Sequence, residues 1–485
     1  PHELHDFHVD IKVDDEDLTI MDFTGYIDDS DFHFNGLMHD YGFWMQPEFN
    51  GDVDLDVTLS SDLLRLENIF TYQGENYVPE DYRHEELEGF VVHANTSLHF
   101  KQSQLHSIDL DLDRLEAKMH LHPLRFERFS GQFHYEDEHL VMTDFQGQMG
   151  RTEFEADMDY YLGDDPSVRK RDNYLDLAAT YIDLDELTNF NLGPAEAEGA
   201  GSNPPAADTI SHEDAYNLYD LPFTDMRFLL SVDHFIYHRV DLQKIKAKLR
   251  TTQDHYLYVD TLSFRAAGGN FRMNGYFNGS DPDHIYLKPK LQVEHADIDG
   301  LLFKFESHGE DEPLSENIHG SLTADIDGNI RIYPDFVPNL DESEIHMDIE
   351  VLEGRLVNYS AMELLSDYMG NKDLTNIRFD TLTNHMDMTN GLLTIPNMTI
   401  ESTIGHFELS GQQDLDFNME YYLRIPWTLI TQGTRNKLFG GRNKDPKVGE
   451  DEIVKYDPTR NVRFLNLKIA GNIDDYSVGL GKDGE

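Results

Sequence analysis

Apolar and polar residues alternate with period two along most of this chain, the mark of strands that bury one face and wet the other. Ile108, Leu110 and Leu112 alternate with Asp109, Asp111 and Asp113. Ala117, Met119 and Leu121 alternate with Lys118, His120 and His122, and Ile345, Met347, Ile349 and Val351 with His346, Asp348 and Glu350. Between such runs lie Asn35-Gly36, Asn274-Gly275, Asn278-Gly279, Asp327-Gly328 and Asn390-Gly391. These dipeptides tolerate positive φ and predict hairpin turns. Gly268-Gly269 has no helix after it and reads as a bulge or tight turn. Few helices are expected. One starts at the N-cap Ser360 and runs through Met362, Leu364, Leu365 and Met369 to Gly370, and a second runs from Pro426 to near Gly440.

A five-residue phrase recurs four times with steps of two, three, nine and four residues. Its copies are Leu18, Ile20, Phe23, Phe32 and Gly36; Leu140, Met142, Phe145, Phe154 and Met158; Leu257, Val259, Leu262, Phe271 and Gly275; and Leu393, Ile395, Met398, Phe407 and Gly411. The first three are followed by a second phrase, Asp62-Leu63 then Leu66, Asp183-Leu184 then Leu187, and Asp297-Ile298 then Leu301. Tandem strand units predict a mainly-β protein: an elongated, strongly curved antiparallel sheet, an open trough or β-taco, built from strand repeats with a few short helices. The run 194–208 contains no large apolar side chain and reads as a loop or linker. The expected division is therefore an N-terminal repetitive sheet over 1–193, a flexible acidic Pro/Gly segment over 194–215, and a C-terminal β region over 216–485.

Composition narrows the function. Against 93 Asp plus Glu stand 38 Lys plus Arg, a formal net charge of -55, which repels phosphates and excludes a general nucleic-acid partner. Salt adaptation would produce the same acidity. With no Cys, disulfides, thiolate metal sites and cysteine nucleophiles are impossible. No window of about 18 apolar residues spans a bilayer as a helix. The chain begins at Pro1 with no signal-like run, so an upstream anchor is expected to lie outside it.

Nucleophile-elbow, phosphate-loop and His-Glu-x-x-His motifs are all missing, and acids are too numerous to nominate a catalytic pair. His2, His5 and His8 sit in a strand-like run where odd separations face opposite sides, so no metal site is expected there. The stretch Asp325–Asn329 has its Gly fourth rather than sixth and reads as a hairpin turn rather than a calcium loop. No catalytic residue, metal or cofactor is expected. What remains is an apolar strip, and one that does not cover itself needs an apolar ligand or partner. Leu18, Ile20, Phe23, Phe32, Leu140, Met142, Phe145, Phe154, Leu257, Val259, Leu262, Phe271, Leu393, Ile395, Met398 and Phe407 are the candidate lipid-binding residues.

The charge balance reverses near the C-terminus, where Arg435, Lys437, Arg442, Lys444 and Lys447 face one acid, Asp445. With Trp427, Leu438 and Phe439 they form a candidate contact with an anionic membrane surface or an acidic partner. The alternative is a helix whose cations complement its own dipole.

The last third also resembles a known family. Gly354-Arg355-Leu356, the Ser360 segment, Ile377-Arg378-Phe379, Met386-Asp387-Met388, Asn390-Gly391-Leu392-Leu393 and Phe407 to Gly411 resemble the C-terminal region of AsmA-like proteins. Tyr421 to Pro426 and Val462 to Gly471 extend the resemblance, which covers roughly 216–485. That family is similar to the bridge-like lipid transport proteins of the Gram-negative envelope. The resemblance implies a periplasmic sheet, anchored in the inner membrane by an N-terminal segment outside this chain. Its apolar trough would shelter phospholipid or other acyl chains for transport between membranes or for outer-membrane assembly, with envelope proteins as further partners. The competing expectation is a non-catalytic structural or binding protein of the envelope or cell surface with no lipid cargo. A parallel β-helix enzyme is disfavoured because no period of about 20 to 30 residues is visible.

Overall fold

The computed structural model describes residues 3–14, 16–42, 48, 50–66, 71–72, 75–76, 84–120, 125–163, 173–183, 224–237, 240–305, 317–334, 337–358, 375–427, 430, 453–457, 462–472 and 475–481. The expected segment 194–215, the helix from Ser360 to Gly370 and the basic residues Arg435, Lys437, Arg442, Lys444 and Lys447 lie outside them, as do Leu438 and Phe439. The strands fall into two compact units, divided after Gln253.

The first unit holds β1 (Leu4–Val13), β2 (Asp17–Ile27), β3 (Ser30–His39), β4 (Gly51–Arg65), the two-residue pair β5 (Thr71–Tyr72) and β6 (Glu75–Asn76), and β7 (Glu86–Lys101). It continues through β8 (Gln104–Met119), β9 (Arg125–Glu136), β10 (His139–Met149), β11 (Thr152–Tyr161), β12 (Tyr174–Asp183), β13 (Met226–Tyr237) and β14 (Val240–Thr251). Apart from β5 and β6, each strand pairs with the next, antiparallel except for β12 and β13, which are parallel. A parallel pair needs a long crossover, and residues 184–225 supply it. That pairing is why β13 and β14, which follow the expected linker, belong to this first unit.

The second unit runs antiparallel throughout. Its strands are β15 (Tyr256–Ala266), β16 (Gly269–Asn278), β17 (Tyr286–Asp297), β18 (Ile318–Ile332), β19 (Pro338–Val357), β20 (Asn376–Arg378), β21 (Leu382–Thr389), β22 (Leu392–Ser402), β23 (Gly405–Gln413), β24 (Asn418–Pro426), β25 (Phe464–Asn472) and β26 (Asp475–Leu480). β20 and β21 both pair with the long β19. A single eight-residue helix, α1 (Ile298–Phe305), is present among the described residues. In neither unit do the first and last strands pair with each other, so neither sheet closes. The mainly-β, antiparallel, open-sheet class is as the alternation predicts.

The repeat phrase is a bulged hairpin. Register shifts fall between Ile20 and Phe23, Met142 and Phe145, Val259 and Leu262, and Ile395 and Met398, in β2–β3, β10–β11, β15–β16 and β22–β23 respectively. Two residues there oppose one, which restores the face that a three-residue step would otherwise reverse. In each copy the second phrase residue pairs with the fifth: Ile20 with Gly36, Met142 with Met158, Val259 with Gly275, and Ile395 with Gly411. Pro396 sits inside the fourth bulge, where its missing N–H interrupts no ladder. Bulges bend strands and raise their twist, so each unit's sheet is curved. The strand after each of the first three hairpins, β4, β12 or β17, ends at or near the second phrase's Asp62, Asp183 or Asp297, and the third of these leads directly into α1.

Three of the expected turns are strand interior. Asn35-Gly36 and Asn274-Gly275 lie in β3 and β16, where the glycine faces the bulged strand, and Asp327-Gly328 pairs with His346 and Ile345 in the middle of β18. Asn390-Gly391 does make the β21–β22 turn, with φ of 51° and 74°. Pro426 ends β24 opposite Phe464, and the helix expected from it to near Gly440 lies, beyond Trp427 and Ile430, outside the described residues.

Aromatic rings cluster beside the second hairpin. Phe129 lies 5.8 Å from Phe145 and 5.5 Å from Phe154, and a Cβ on Gly147 would stand 2.7 Å from the Phe129 ring. Gly147→Ala is therefore expected to cost about 1–3 kcal/mol. Gly479→Ala in β26, with nothing within 4 Å of its Cβ, is expected to stay within about 0.5 kcal/mol of the parent in chemical denaturation.

Candidate apolar binding face

Ladder register joins the repeats of each unit into one face. In the first unit Val13, Leu18, Met38, Leu55, Thr96 and Leu110 are successive cross-strand partners. The row continues through Phe133, Met142, Met158, Leu175, Phe228 and Leu249. It crosses from β1 to β14 with one polar member, Thr96. In the second unit the corresponding row is Leu262, Met273, Leu291, Ile326, Met347 and Met386. Two residues along β21, Met388 pairs with Leu393 and carries the same face into the fourth repeat.

These rows are only half covered. Met142 is the one buried member of the first, and every member of the second retains partial exposure. A core enclosed between two layers would hide such residues. Exposure is high along β1, which among the described residues pairs with β2 alone: Phe7 is 57% exposed and Val13 52%.

All sixteen repeat residues proposed as lipid-binding are buried or half-buried. Phe32, Met142, Val259, Phe271 and Met398 are buried, and the others are half-buried. Phe23 and Phe32 meet edge to face at 4.9 Å, and Phe264 stacks on Phe271 at 4.8 Å. Phe407 differs in setting, since it packs against a closed cluster of Ile377, Ile404, Leu423, Ile425, Leu465 and Leu467. Trp427, expected at a membrane or partner contact, packs against that same cluster, and its backbone N–H donates to Arg463 O at 2.6 Å. The row members Met38, Leu55, Phe133, Leu175, Phe228 and Leu249 were not nominated from sequence. Each sits in an alternating strand, but only register aligns them.

The opposite face is a lattice of carboxylates bridged by histidines. His99 Nδ1 lies 2.7 Å from Asp52 and its Nε2 lies 2.8 Å from Asp109, whose other oxygen is 2.6 Å from His134 Nδ1. His93 likewise bridges Asp56 and Asp113. Hydrogen bonding to Asp52 and then Asp109 raises the His99 pKa, while the hydrogen bond from His134 holds the Asp109 carboxyl below its usual range. Such pairs place cations among strands that otherwise oppose like charges.

No family model matches this chain, and neither does any curated protein or solved structure. Among the described residues no helix is long and apolar enough to cross a membrane.

The wet-face pairs set a pH window. The stability contributed by His99 is fully present below its unfolded value near 6.5 and is lost as pH rises through its higher folded pKa. That from Asp109 is present above 3.8 and is lost as pH falls through its lower folded pKa. The urea midpoint difference between the parent and His99→Ala is therefore expected to be larger at pH 5.5 than at pH 8.5. An unchanged difference would show that the bridge carries no net stability.

Proposed function

We propose that this chain is a non-catalytic, AsmA-like lipid-sheltering protein whose half-exposed apolar rows hold the acyl chains of phospholipid or a similar lipid. The observation that carries this reading is the cross-strand row from Leu18 to Leu249, apolar at every position but Thr96 and part-exposed except at Met142. Strands lie about 4.8 Å apart, so an acyl chain along the row meets a fresh apolar side chain at that interval. Withdrawing it from water gains about 0.8 kcal/mol per methylene, and headgroups can remain hydrated at the open side.

The setting that fits is the periplasm of a Gram-negative envelope, with inner-membrane attachment through a segment outside this chain. There the protein would move lipid between inner and outer membrane or support outer-membrane assembly. Its wet face, rich in carboxylates, keeps a long apolar surface soluble. The basic residues from Arg435 to Lys447 supply attraction to an anionic surface, at about 1 kcal/mol per cation near the lipid.

Native mass spectrometry and solvent extraction of the purified chain are expected to detect acyl lipid. Met158→Asp, at a half-exposed row position, is expected to reduce lipid binding at least tenfold while the chain stays folded by circular dichroism. Leu467→Ala, in the closed cluster, is expected to cost about 2–5 kcal/mol of stability and leave lipid binding unchanged where the chain is folded. Absence of lipid from the parent, before and after incubation with phospholipid vesicles, would favour a structural or binding role without cargo.

A further inference from the structure

Wet-face histidines are common in this protein, but one group differs from the rest in how its donor atoms are arranged. At Asp109 the two histidines take opposite carboxylate oxygens, so their nitrogens are held apart by the whole carboxylate. At Asp387 both histidines approach the same oxygen. Oδ1 lies 2.6 Å from His346 Nδ1 and 3.4 Å from His385 Nε2. Asp387 Oδ1 and one nitrogen of each ring all lie within 4.8 Å of one another, the sole such group among the described residues.

Register produces the convergence. His346 is the ladder partner of Asp387, and Asp348 is the ladder partner of His385, so the four side chains form a two-by-two square on one face of β19 and β21. The imidazole planes are nearly parallel, with an interplanar angle of 7° and centroids 6.5 Å apart. Asp348 Oδ1 sits 2.8 Å from His385 Nδ1. In the neutral ring, with Nδ1–H donated to Asp348, Nε2 would be available to an ion, the carboxylate–histidine arrangement that supports metal-ligating imidazoles. On its other side Asp348 lines a depression of about 410 Å³ with Asp325, Glu350, Thr383 and Asn384.

We propose that His346 Nδ1, His385 Nε2 and the Asp387 carboxylate bind a divalent transition-metal ion, with zinc as the best fit. Two imidazoles and one carboxylate are a donor set for Zn²⁺ with one open position. Tetrahedral bonds of about 2.0–2.1 Å put donor atoms about 3.3 Å apart. Around an ion the His346–Asp387 contact at 2.6 Å would widen and the longer donor separations, all within 4.8 Å, would shorten to that distance by side-chain adjustment. This site lies on the wet face and is independent of the lipid reading.

The test is titration of the full chain with Zn²⁺ alone by calorimetry, and with Co²⁺ followed by visible absorption. The expected result is one tight equivalent per chain with a tetrahedral Co²⁺ spectrum. His385→Ala and Asp387→Asn should abolish it, and Asp348→Asn should weaken it about 10–100-fold. His134→Ala, at the divided carboxylate, should leave it unchanged, with circular dichroism confirming the fold of every variant. Equal binding by the parent and His385→Ala, or weak multi-site binding that is lost equally in His134→Ala, would overturn the assignment and reduce it to general cation attraction by an acidic surface.

Discussion

Cross-strand register is the constraint on which both faces of this protein depend. Side chains alternate with period two, so a slip of one residue exchanges the buried set for the wet one. In a sheet enclosed by a second layer, packing against that layer corrects the register. Here the apolar rows are half-exposed, and the bulges carry more of that burden. A bulge at the same phrase position in four hairpins fixes the pairing on both sides of it. It also lets Leu18, Ile20 and Phe23 share a face although the last step between them is odd.

Much of this was legible in the sequence, because alternation and the repeat spacing are direct images of strand geometry. The three-residue step recurs because each copy needs the same bulge, and the closing Gly36, Gly275 and Gly411 lie opposite it. That chemistry is also what misled the reading of turns: Asn-Gly marks a hairpin only where the strand must reverse, and a glycine facing a bulge looks the same in one dimension. The continuous rows were not legible. Whether Leu55 meets Met38 on one side and Thr96 on the other depends on pairings between strands whose loops differ in length, and no local pattern encodes them. The His346, His385 and Asp387 group was hidden for the same reason, since its members lie on two strands and only the ladder brings them together.

The two faces answer one another electrostatically. A chain with 93 acids and 38 Lys plus Arg cannot pair its carboxylates with ordinary cations alone, and like charges directly opposite on adjacent strands oppose pairing. Histidines occupy many of those cross-strand positions. His99, His346 and His385 all have pKa values raised by neighbouring carboxylates, so they gain charge where the lattice most needs it. The acidity thus does more than hydrate the surface. It makes the register of the wet strands responsive to protons, while the apolar rows respond only to what covers them.

These dependences meet at β21. This strand is held to β19 by eight ladder pairs but to β22 by three, at its end beside the Asn390-Gly391 turn. Through those few pairs the apolar face passes from Met386 and Met388 into the fourth repeat. The His346–Asp387 pair lies between Met347–Met386 and Ile345–Met388 in the same ladder, so a bond that fixes the first fixes the other two. An ion shared by His346, His385 and Asp387 would therefore clip the weakly held strand from its wet side and hold in place the methionines that continue the row on its dry side. The chemistry of one face can in this way set the continuity of the other without any side chain passing through the sheet.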